Sequence, residues 1–398
     1  MWYNYPISNL KEGYNVDKEI LFQKIDSLYE KYLKIWEDVC NIESPTDFKE
    51  GVDACGDYFV KCAKALGWDV EKLPQPVSGD PICITMNPEA KGTPISLSGH
   101  IDTVHPVGLF GTPAVRFDDE KIYGPGVTDC KGGVVGALYA MEALHNLGYA
   151  DRPVKLIIQT DEEGSSKGSD KATINWICEK AKGSRAFLNL EGYTKGEACI
   201  QRKGILTLKF KITGVAAHSS ACATSGANAI IEAAHKMLEL EKHKDNEGLT
   251  CSCNMISGGN AVNTVAGYCE FVCNVRFATA QQLEQIKAEA KALADTVYVN
   301  GCKTELEIDG FRVAMERVER NLKLVDDLNE AFVKYGLPEL KASKRTGGSD
   351  AADATVYGLT AVDSIGTEGG RIHSAEEFGI KASLKECAKR LAAAVLEL

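Results

Sequence analysis

Residues 154–164 read VKLIIQTDEEG, and they join an apolar run, Val154 to Gln159, to three adjacent acids, Asp161 to Glu163. A short apolar run that ends at polar residues is typical of a strand buried inside a sheet. Three neighbouring carboxylates repel one another wherever they are packed, unless a cation offsets their charge. This stretch therefore predicts a buried strand whose carboxyl end binds a divalent cation.

The segments around that strand alternate between strand and helix. Two amphipathic helices, Glu19 to Asn41 and Asp47 to Leu66, lead the chain. Two short β-rich runs, Ile82 to Met86 and Pro94 to Ser98, follow them, and a helix rich in small residues, Gly132 to Leu147, comes next. This alternation predicts an α/β fold with a mixed, mostly parallel sheet and helices on both faces.

A second module follows, and its predicted elements have the order βαββαβ, a split βαβ unit of the ferredoxin-like kind. These elements are Ile205–Thr213, Ala227–Glu241, Thr250–Ser257, Tyr268–Phe277, Ala280–Val297 and Thr304–Ile308. At 398 residues the chain is longer than one hydrophobic core normally supports. We therefore expect an inserted α+β domain, residues 202–312, within a first domain made of residues 1–201 and 313–398.

Composition and charge exclude several classes of partner. The formal net charge of −11 opposes binding to phosphate backbones, so we expect no nucleic-acid and no membrane partner. No apolar run approaches the ~18 residues that cross a bilayer, and Met1–Asn15 has no basic segment followed by an apolar stretch. Fourteen cysteines scattered through a large chain indicate reduced thiols. We therefore expect a cytoplasmic protein.

Acidic and histidine side chains stand at the predicted strand ends. His100 and Asp102 follow the strand that ends at Ser98, Asp129 lies in a glycine-rich turn before a helix, and Glu191 ends another apolar run. A single acid in such a place usually caps a helix. Because the carboxyl ends of strands in α/β sheets converge, these residues together predict a site for a divalent metal.

Three motifs and two single residues carry a resemblance to a known family. The motifs are Ser98–Val104 (SGHIDTV), Gly124–Gly133 (GPGVTDCKGG) and Thr160–Gly164 (TDEEG), followed by Glu191 and by His373 in the run RIHS. In order and spacing they resemble the zinc-dependent aminoacylase and carboxypeptidase G family of di-metal exopeptidases, which includes acetylornithine deacetylase and succinyl-diaminopimelate desuccinylase. The resemblance covers nearly the whole chain.

The resemblance implies two divalent metal ions. Zn²⁺ is the first candidate, although the same ligands accept Co²⁺ or Mn²⁺. It makes Asp129 the carboxylate that bridges both ions. His100 and Glu191 are then ligands of one ion, and Glu163 and His373 are ligands of the other.

The resemblance also names residues that act beside the metals. Glu162 matches the general base, which serves the attack of a metal-bound hydroxide on the scissile carbonyl. Asp102 is expected to accept a hydrogen bond from the non-ligating nitrogen of His100; the alternative is a simple turn-former. A cis peptide is implied between Asp129 and Cys130, where Cys130 departs from the methionine that is common in the family.

Within the inserted domain, the resemblance implies a lid and a dimerisation surface, hence a homodimer. His218 matches a residue that polarises the scissile carbonyl, in its own site or a partner's, and Asn263 matches a similarly placed polar residue. Arg276 matches the residue that holds a substrate carboxylate, with a lid salt bridge as the alternative. Gly348 and Ser349 match a substrate-side loop, although such glycines also form turns. His105, His145, His235 and His243 are assigned no role.

The function that these residues predict is hydrolysis of a peptide or N-acyl amide bond. The first candidate is a carboxypeptidase of the glutamate carboxypeptidase kind, and the second is an N-acyl-amino-acid deacylase of the acetylornithine or succinyl-diaminopimelate type. Strict dipeptidases and tripeptidases of the family usually have Asp where Glu191 stands. A catalytically silent, metabolite-binding relative is the alternative from another class. A nucleotide-binding protein would need a phosphate loop, which Gly124–Gly136 does not provide.

Overall fold

The computed structural model describes the chain from Val16 to Leu398, so the expectation for Met1–Asn15 lies outside the described residues. The chain forms two compact units. The first holds the described residues up to Ile200, with Arg317–Ser343 and Tyr357–Leu398, and the second holds Gln201–Glu316 and Lys344–Val356. The assignment of residues 1–201 and 313–398 to a catalytic domain and 202–312 to a lid domain stays a prediction.

The chain enters the first unit through two helices and then alternates between strands and helices. Its elements are α1 (Lys18–Asn41), α2 (Lys49–Ala65), β1 (Asp69–Lys72), β2 (Ile82–Met86), β3 (Ile95–His100), β4 (Arg116–Phe117), β5 (Lys121–Tyr123), α3 (Lys131–Asn146), β6 (Val154–Gln159), α4 (Ala172–Ala181) and β7 (Ala186–Asn189).

The remaining elements build the second unit and complete the first. They are β8 (Glu197–Arg202), β9 (Gly204–Thr213), α5 (Ala229–Leu240), β10 (Thr250–Gly258), β11 (Tyr268–Phe277), α6 (Ala280–Asp295), β12 (Lys303–Arg312), α7 (Glu319–Lys334), β13 (Lys341–Arg345), α8 (Asp350–Tyr357), β14 (Ala361–Val362), β15 (Gly369–Gly370), β16 (Phe378–Ile380) and α9 (Lys381–Glu397). Among the described helices, none is both long and apolar enough to cross a membrane.

The central sheet of the first unit has the strand order β1-β2-β6-β3-β7-β14. The pairings of β3 with β6, β3 with β7 and β7 with β14 are parallel, whereas β1 with β2 and β2 with β6 are antiparallel. The crossover through α3 and the next one through α4 run in opposite directions along the sheet. Because such crossovers are right-handed, α3 and α4 cover opposite faces. The predicted mixed, mostly parallel sheet with helices on both faces is confirmed.

The strand order reverses at β3. The next two strands of this sheet in chain order, β6 and β7, lie on opposite sides of β3. In open α/β sheets, ligands bind outside the carboxyl ends of the strands at such a reversal. The start of α3 approaches this edge closely, because a Cβ atom at Gly133 would lie 2.2 Å from the carbonyl oxygen of Leu190. Only glycine allows that contact, so α3 begins directly beside the end of β7.

A small second sheet in the first unit has the order β15-β16-β5-β4. In it, β16 pairs with β5 in antiparallel register, and Phe378 lies opposite Tyr123. This pairing brings the chain around residue 373 next to the glycine-rich loop that follows β5.

The second unit has a four-stranded antiparallel sheet of order β10-β11-β9-β12. With α5 and α6 this gives the predicted βαββαβ order, and the strand order is that of a ferredoxin-like sheet. Alternate residues of β9 face the core, among them Leu208 and Phe210, and Phe210 stacks on Phe271 with ring centroids 4.7 Å apart. The register pairs Thr213 with Tyr268 at one end of the sheet.

Candidate metal centre

The carboxyl edge of the central sheet brings acidic and histidine side chains together. His100 is the last residue of β3, Glu162 and Glu163 lie in the turn after β6, and Glu191 follows β7 by two residues. Asp129 stands two residues before α3, and its peptide bond to Cys130 is cis, as the resemblance implies. These residues all belong to the first unit.

Asp129 lies at the centre of this group. Its Oδ1 is 3.2 Å from Nε2 of His100, and its Oδ2 is 3.1 Å from Nε2 of His373. Glu191 Oε1 is 3.7 Å from the His100 ring nitrogen, and Glu163 Oε2 is 3.3 Å from the His373 ring nitrogen. The two oxygens of one carboxylate therefore face two separate histidine–glutamate pairs.

Negative charge is in excess in this site. Burial raises the pKa of Glu163 to about 7, and repulsion from Asp129 and Glu162 adds to the effect. Burial and the same two charges raise the pKa of Glu191 well above its ordinary value. Hydrogen bonds to Asp129 and Glu163 raise the pKa of His373 to about 10. Divalent cations would offset this charge, and imidazole and carboxylate are the donors that zinc binds in proteins.

Two sets of three residues each have donor atoms that lie within 4.8 Å of one another. The first set is His100, Asp129 and Glu163, and the second is His100, Cys130 and Glu191. The Cys130 thiol already has a backbone partner, because its Sγ accepts the His100 N–H at 3.0 Å. Burial raises the pKa of this thiol to about 12. Cys130 therefore ties β3 to the start of α3, and the other members of the two sets, His100, Asp129, Glu163 and Glu191, remain available to divalent cations.

Asp102 is buried and orients more than one neighbour. His100 Nδ1 lies 3.0 Å from the Asp102 carbonyl oxygen and 3.5 Å from its carboxylate Oδ1. The carboxylate also accepts the backbone N–H groups of Glu162 and Glu163, at 3.1 and 3.0 Å, and the hydroxyl of Thr46 at 2.8 Å. Asp102 therefore holds the turn that carries both glutamates, a contact that its position in the sequence did not indicate.

Two further buried residues support the site: Glu377, which no sequence motif indicates, and His105, for which the sequence predicts no role. Glu377 is fully buried, and its carboxylate accepts backbone N–H groups from the loop that ends at Asp129. His105 is buried as well, and its Nε2 lies 2.8 Å from Glu377 Oε2. The only sequence signal for Glu377 is its position four residues after His373, a proposed metal ligand. Nothing in the sequence around His105 distinguishes it from other loop histidines.

The end of α1 supports the same loop from behind. The buried ammonium of Lys131 donates to the carbonyl oxygens of Val39 and Ile42, at 3.1 and 2.8 Å. The indole N–H of Trp36 donates to the Val127 carbonyl at 3.0 Å. The residues two positions before and after Asp129, Val127 and Lys131, are thus hydrogen-bonded to α1 and its C-terminal end.

The remaining predicted residues belong to the second unit and fall into two groups. His218 and Asn263 are exposed and adjacent, since the Ser219 N–H donates to the Asn263 carbonyl at 2.9 Å. Both lie beyond the end of the sheet where Thr213 pairs with Tyr268.

Arg276 lies at the other end of the same sheet, opposite Ile205. Arg202 is near this end and donates to the carbonyl oxygens of Gly347 and Gly348, at 3.2 and 3.3 Å. Ser349 is buried, and its hydroxyl accepts the Ala351 N–H at 3.2 Å. Arg276 and the loop with Gly348 and Ser349 therefore share one end, about 25 Å along the strands from His218 and Asn263.

Solved structures with the same fold include the aminopeptidase PepT from Bacillus cereus ATCC 10987. The TM-score is 0.78 at 20% sequence identity, and the match covers 93% of this chain and 98% of that chain. At this identity the likeness concerns the fold.

Curated relatives include two hydrolases. The chain is 28% identical over 362 residues to carboxypeptidase G2 of Pseudomonas sp. (strain RS-16), covering 89% of this chain and 86% of the relative. It is 26% identical over 222 residues to succinyl-diaminopimelate desuccinylase of Paraburkholderia xenovorans (strain LB400), covering 51% of this chain and 58% of the relative.

The sequence profile described as peptidase family M20/M25/M40 matches residues 96–397, which include every residue that lines the carboxyl edge described above. This match spans well over half of the chain. The chain therefore belongs to peptidase family M20/M25/M40 and is a metallohydrolase of peptide or acyl-amino-acid bonds.

Proposed function

We propose that the chain is a two-metal carboxypeptidase that releases a C-terminal amino acid, of the glutamate carboxypeptidase kind. The observation that carries the two-metal part of the proposal is the position of Asp129 between the pair His100 and Glu191 and the pair His373 and Glu163. These five residues would hold two divalent ions, with Asp129 as the shared ligand. Zn²⁺ suits the donors best, and Co²⁺ or Mn²⁺ would be accepted in its place.

When bound, the two ions polarise the scissile carbonyl and make a water more acidic. Glu162 takes a proton from the water as its oxygen bonds to the carbonyl carbon, and it passes that proton to the amine nitrogen as the C–N bond breaks. Its backbone N–H is held by Asp102, and its charge raises the pKa values of Glu163 and Glu191. Glu162 therefore lies beside the ligands without needing to be one.

A cavity of about 610 Å³ next to Glu163 supports a substrate with a large acyl group or a peptide chain. Its lining in the first unit includes the apolar residues Pro45, Val77, Val104 and Pro106. Cavities of this volume accommodate whole drug-sized ligands. An acetyl group would leave most of it without contacts, so the cavity favours the carboxypeptidase over a deacylase of small acyl groups.

Arg276 supports recognition of a free C-terminal carboxylate. It is half-buried on β11, and its Nε donates to Asn274 Oδ1 at 3.1 Å, which fixes the plane of the guanidinium group. A fixed planar guanidinium suits bidentate binding of a carboxylate. Gly348 and Ser349, at the same end of this unit, are proposed to contact the substrate beside it.

The second unit supports a homodimer in which sites are shared. His218 and Asn263 lie at the opposite end of the sheet from Arg276, so a single small substrate cannot contact all three within one chain. We infer that His218 and Asn263 serve the partner's site, where His218 donates to the developing oxyanion.

All fourteen cysteines are free thiols, which supports a cytoplasmic location.

Replacing Glu162 by Gln should lower kcat by a factor of about 10² to 10⁴, because the amide cannot accept the proton. Metal content and near-UV circular dichroism should match the wild type. Asp170→Asn, an exposed acid in the same segment, is the control and should keep full activity. Near-normal turnover of Glu162→Gln would remove it as the base.

The carboxypeptidase assignment is tested with paired substrates that differ only in a free or amidated C-terminus, each with a chelator control. Only the free acids should be cleaved, and chelator should abolish cleavage. Arg276→Lys should raise KM for the free acids, because an ammonium group cannot form two parallel hydrogen bonds with a carboxylate. Cleavage restricted to acetyl or succinyl amides would establish the deacylase instead.

The shared site is tested by mixing two inactive variants, His218→Ala and Glu162→Gln, after reversible dissociation. If His218 serves its partner, each mixed dimer has one intact site, and the mixture should recover about a quarter of wild-type activity. No recovery, with mixed dimers demonstrated by native mass spectrometry, would place His218 in its own chain's site.

A further inference from the structure

Glu377 occupies an unusual position beside the proposed metal ligands. It precedes β16, which pairs with β5, and its side chain is fully buried. Its Oε1 accepts the backbone N–H groups of Thr128 and Asp129, at 2.9 and 3.1 Å. Its Oε2 accepts the Gly126 N–H at 3.3 Å and lies 2.8 Å from Nε2 of His105. One carboxylate therefore has four neighbours that donate or are able to donate.

These contacts connect three segments, and each segment carries a proposed ligand. Gly126 to Asp129 form the loop that ends in the bridging acid. Glu377 itself lies in the turn that starts at His373, because its N–H donates to the carbonyl of Ser374 at 3.1 Å. His105 ends the segment that begins at His100. No other contact of a single side chain described above joins all three segments.

We propose that Glu377 is a positioning residue that sets the place of Asp129 between the two histidines and so controls binding of both metal ions. This inference rests on the two-metal site of the proposed function. Residues that orient metal ligands typically change metal affinity by a factor of 10 to 100 when they are replaced. Glu377 acts on the backbone of Asp129 rather than on its carboxylate, so the carboxylate stays available to the ions.

The variant Glu377→Gln tests this role with little change in volume. An amide has one oxygen and one NH₂ group, whereas both oxygens of Glu377 accept backbone N–H groups. Whichever way the amide turns, its NH₂ faces either the N–H of Gly126 or the N–H groups of Thr128 and Asp129. At least one backbone hydrogen bond to the Asp129 loop must therefore be lost.

His105 provides a second and milder test of the same contact. His105→Leu removes the neighbour of Oε2 but leaves the three backbone hydrogen bonds in place. His105→Gln keeps a donor of similar reach, so it should restore what His105→Leu loses. A purely steric role for His105 would not give that recovery.

The experiment is a Co²⁺ titration of the metal-free full-length chain, followed by visible absorption, with thermal unfolding of each metal-free variant. We expect Glu377→Gln to bind Co²⁺ roughly 10- to 100-fold more weakly and with an altered spectrum. We expect a smaller loss for His105→Leu and near-normal binding for His105→Gln. The control is Glu232→Gln in the second unit, where a buried carboxylate accepts the backbone N–H groups of Tyr298 and Val299 on Oε2 and pairs with buried Lys236 through Oε1 at 3.0 Å.

The control should lower the unfolding temperature and leave Co²⁺ binding unchanged. Glu377→Gln with wild-type Co²⁺ affinity and spectrum would overturn the proposal, even if its unfolding temperature falls. If Glu377→Gln does not fold, equal Co²⁺ binding by His105→Leu and the wild type would overturn it. A wild-type chain that binds two Co²⁺ ions but cleaves no peptide would contradict the proposed function while leaving this comparison of affinities valid.

Discussion

Repulsion among buried carboxylates is the constraint on which the rest of this structure depends. The side chains of Asp129, Glu163 and Glu191 are only 11%, 9% and 12% exposed and meet at one edge of the sheet, close to Asp102 and Glu162, so little water is left to screen their charges. Such a cluster is stable only if its charge is offset by protons or by cations. Two divalent ions would offset it without neutralising the groups that catalysis needs.

Backbone hydrogen bonds around the proposed ligands hold this cluster of carboxylates in place. Asp102 accepts N–H groups from the Glu162–Glu163 turn, Glu377 accepts them from the Asp129 loop, and Lys131 donates to the end of α1. Each contact fixes main chain and leaves the side chains of the proposed ligands free to bind ions. Precise placement of a catalytic site generally needs this kind of supporting layer.

The sequence was sufficient for the sheet and for the residues that meet at its edge. Strands such as Val154–Gln159 are indicated by local apolar runs, and the proposed ligands stand directly at the ends of those runs. Local pattern and motif therefore predict the strands and these residues together. Glu377 and His105 could not be found in this way, because they are 272 positions apart and their contact depends on the pairing of β16 with β5.

The sequence could not predict the distance between His218 and Arg276 for a related reason. Both residues were predicted to act on substrate, but their positions follow from the antiparallel register of β9 and β11, which no local pattern determines. The inclusion of Lys344–Val356 in the second unit, next to Arg202, likewise depends on contacts between distant parts of the chain.

Anomalous diffraction from crystals grown with zinc would show whether Asp129 bridges two ions. We expect two peaks at the zinc edge about 3.5 to 4 Å apart, one beside each oxygen of Asp129. One peak should lie next to His100 and Glu191, and the other next to His373 and Glu163. A single peak, or two peaks of which neither contacts Asp129, would show that Asp129 does not bridge two zinc ions.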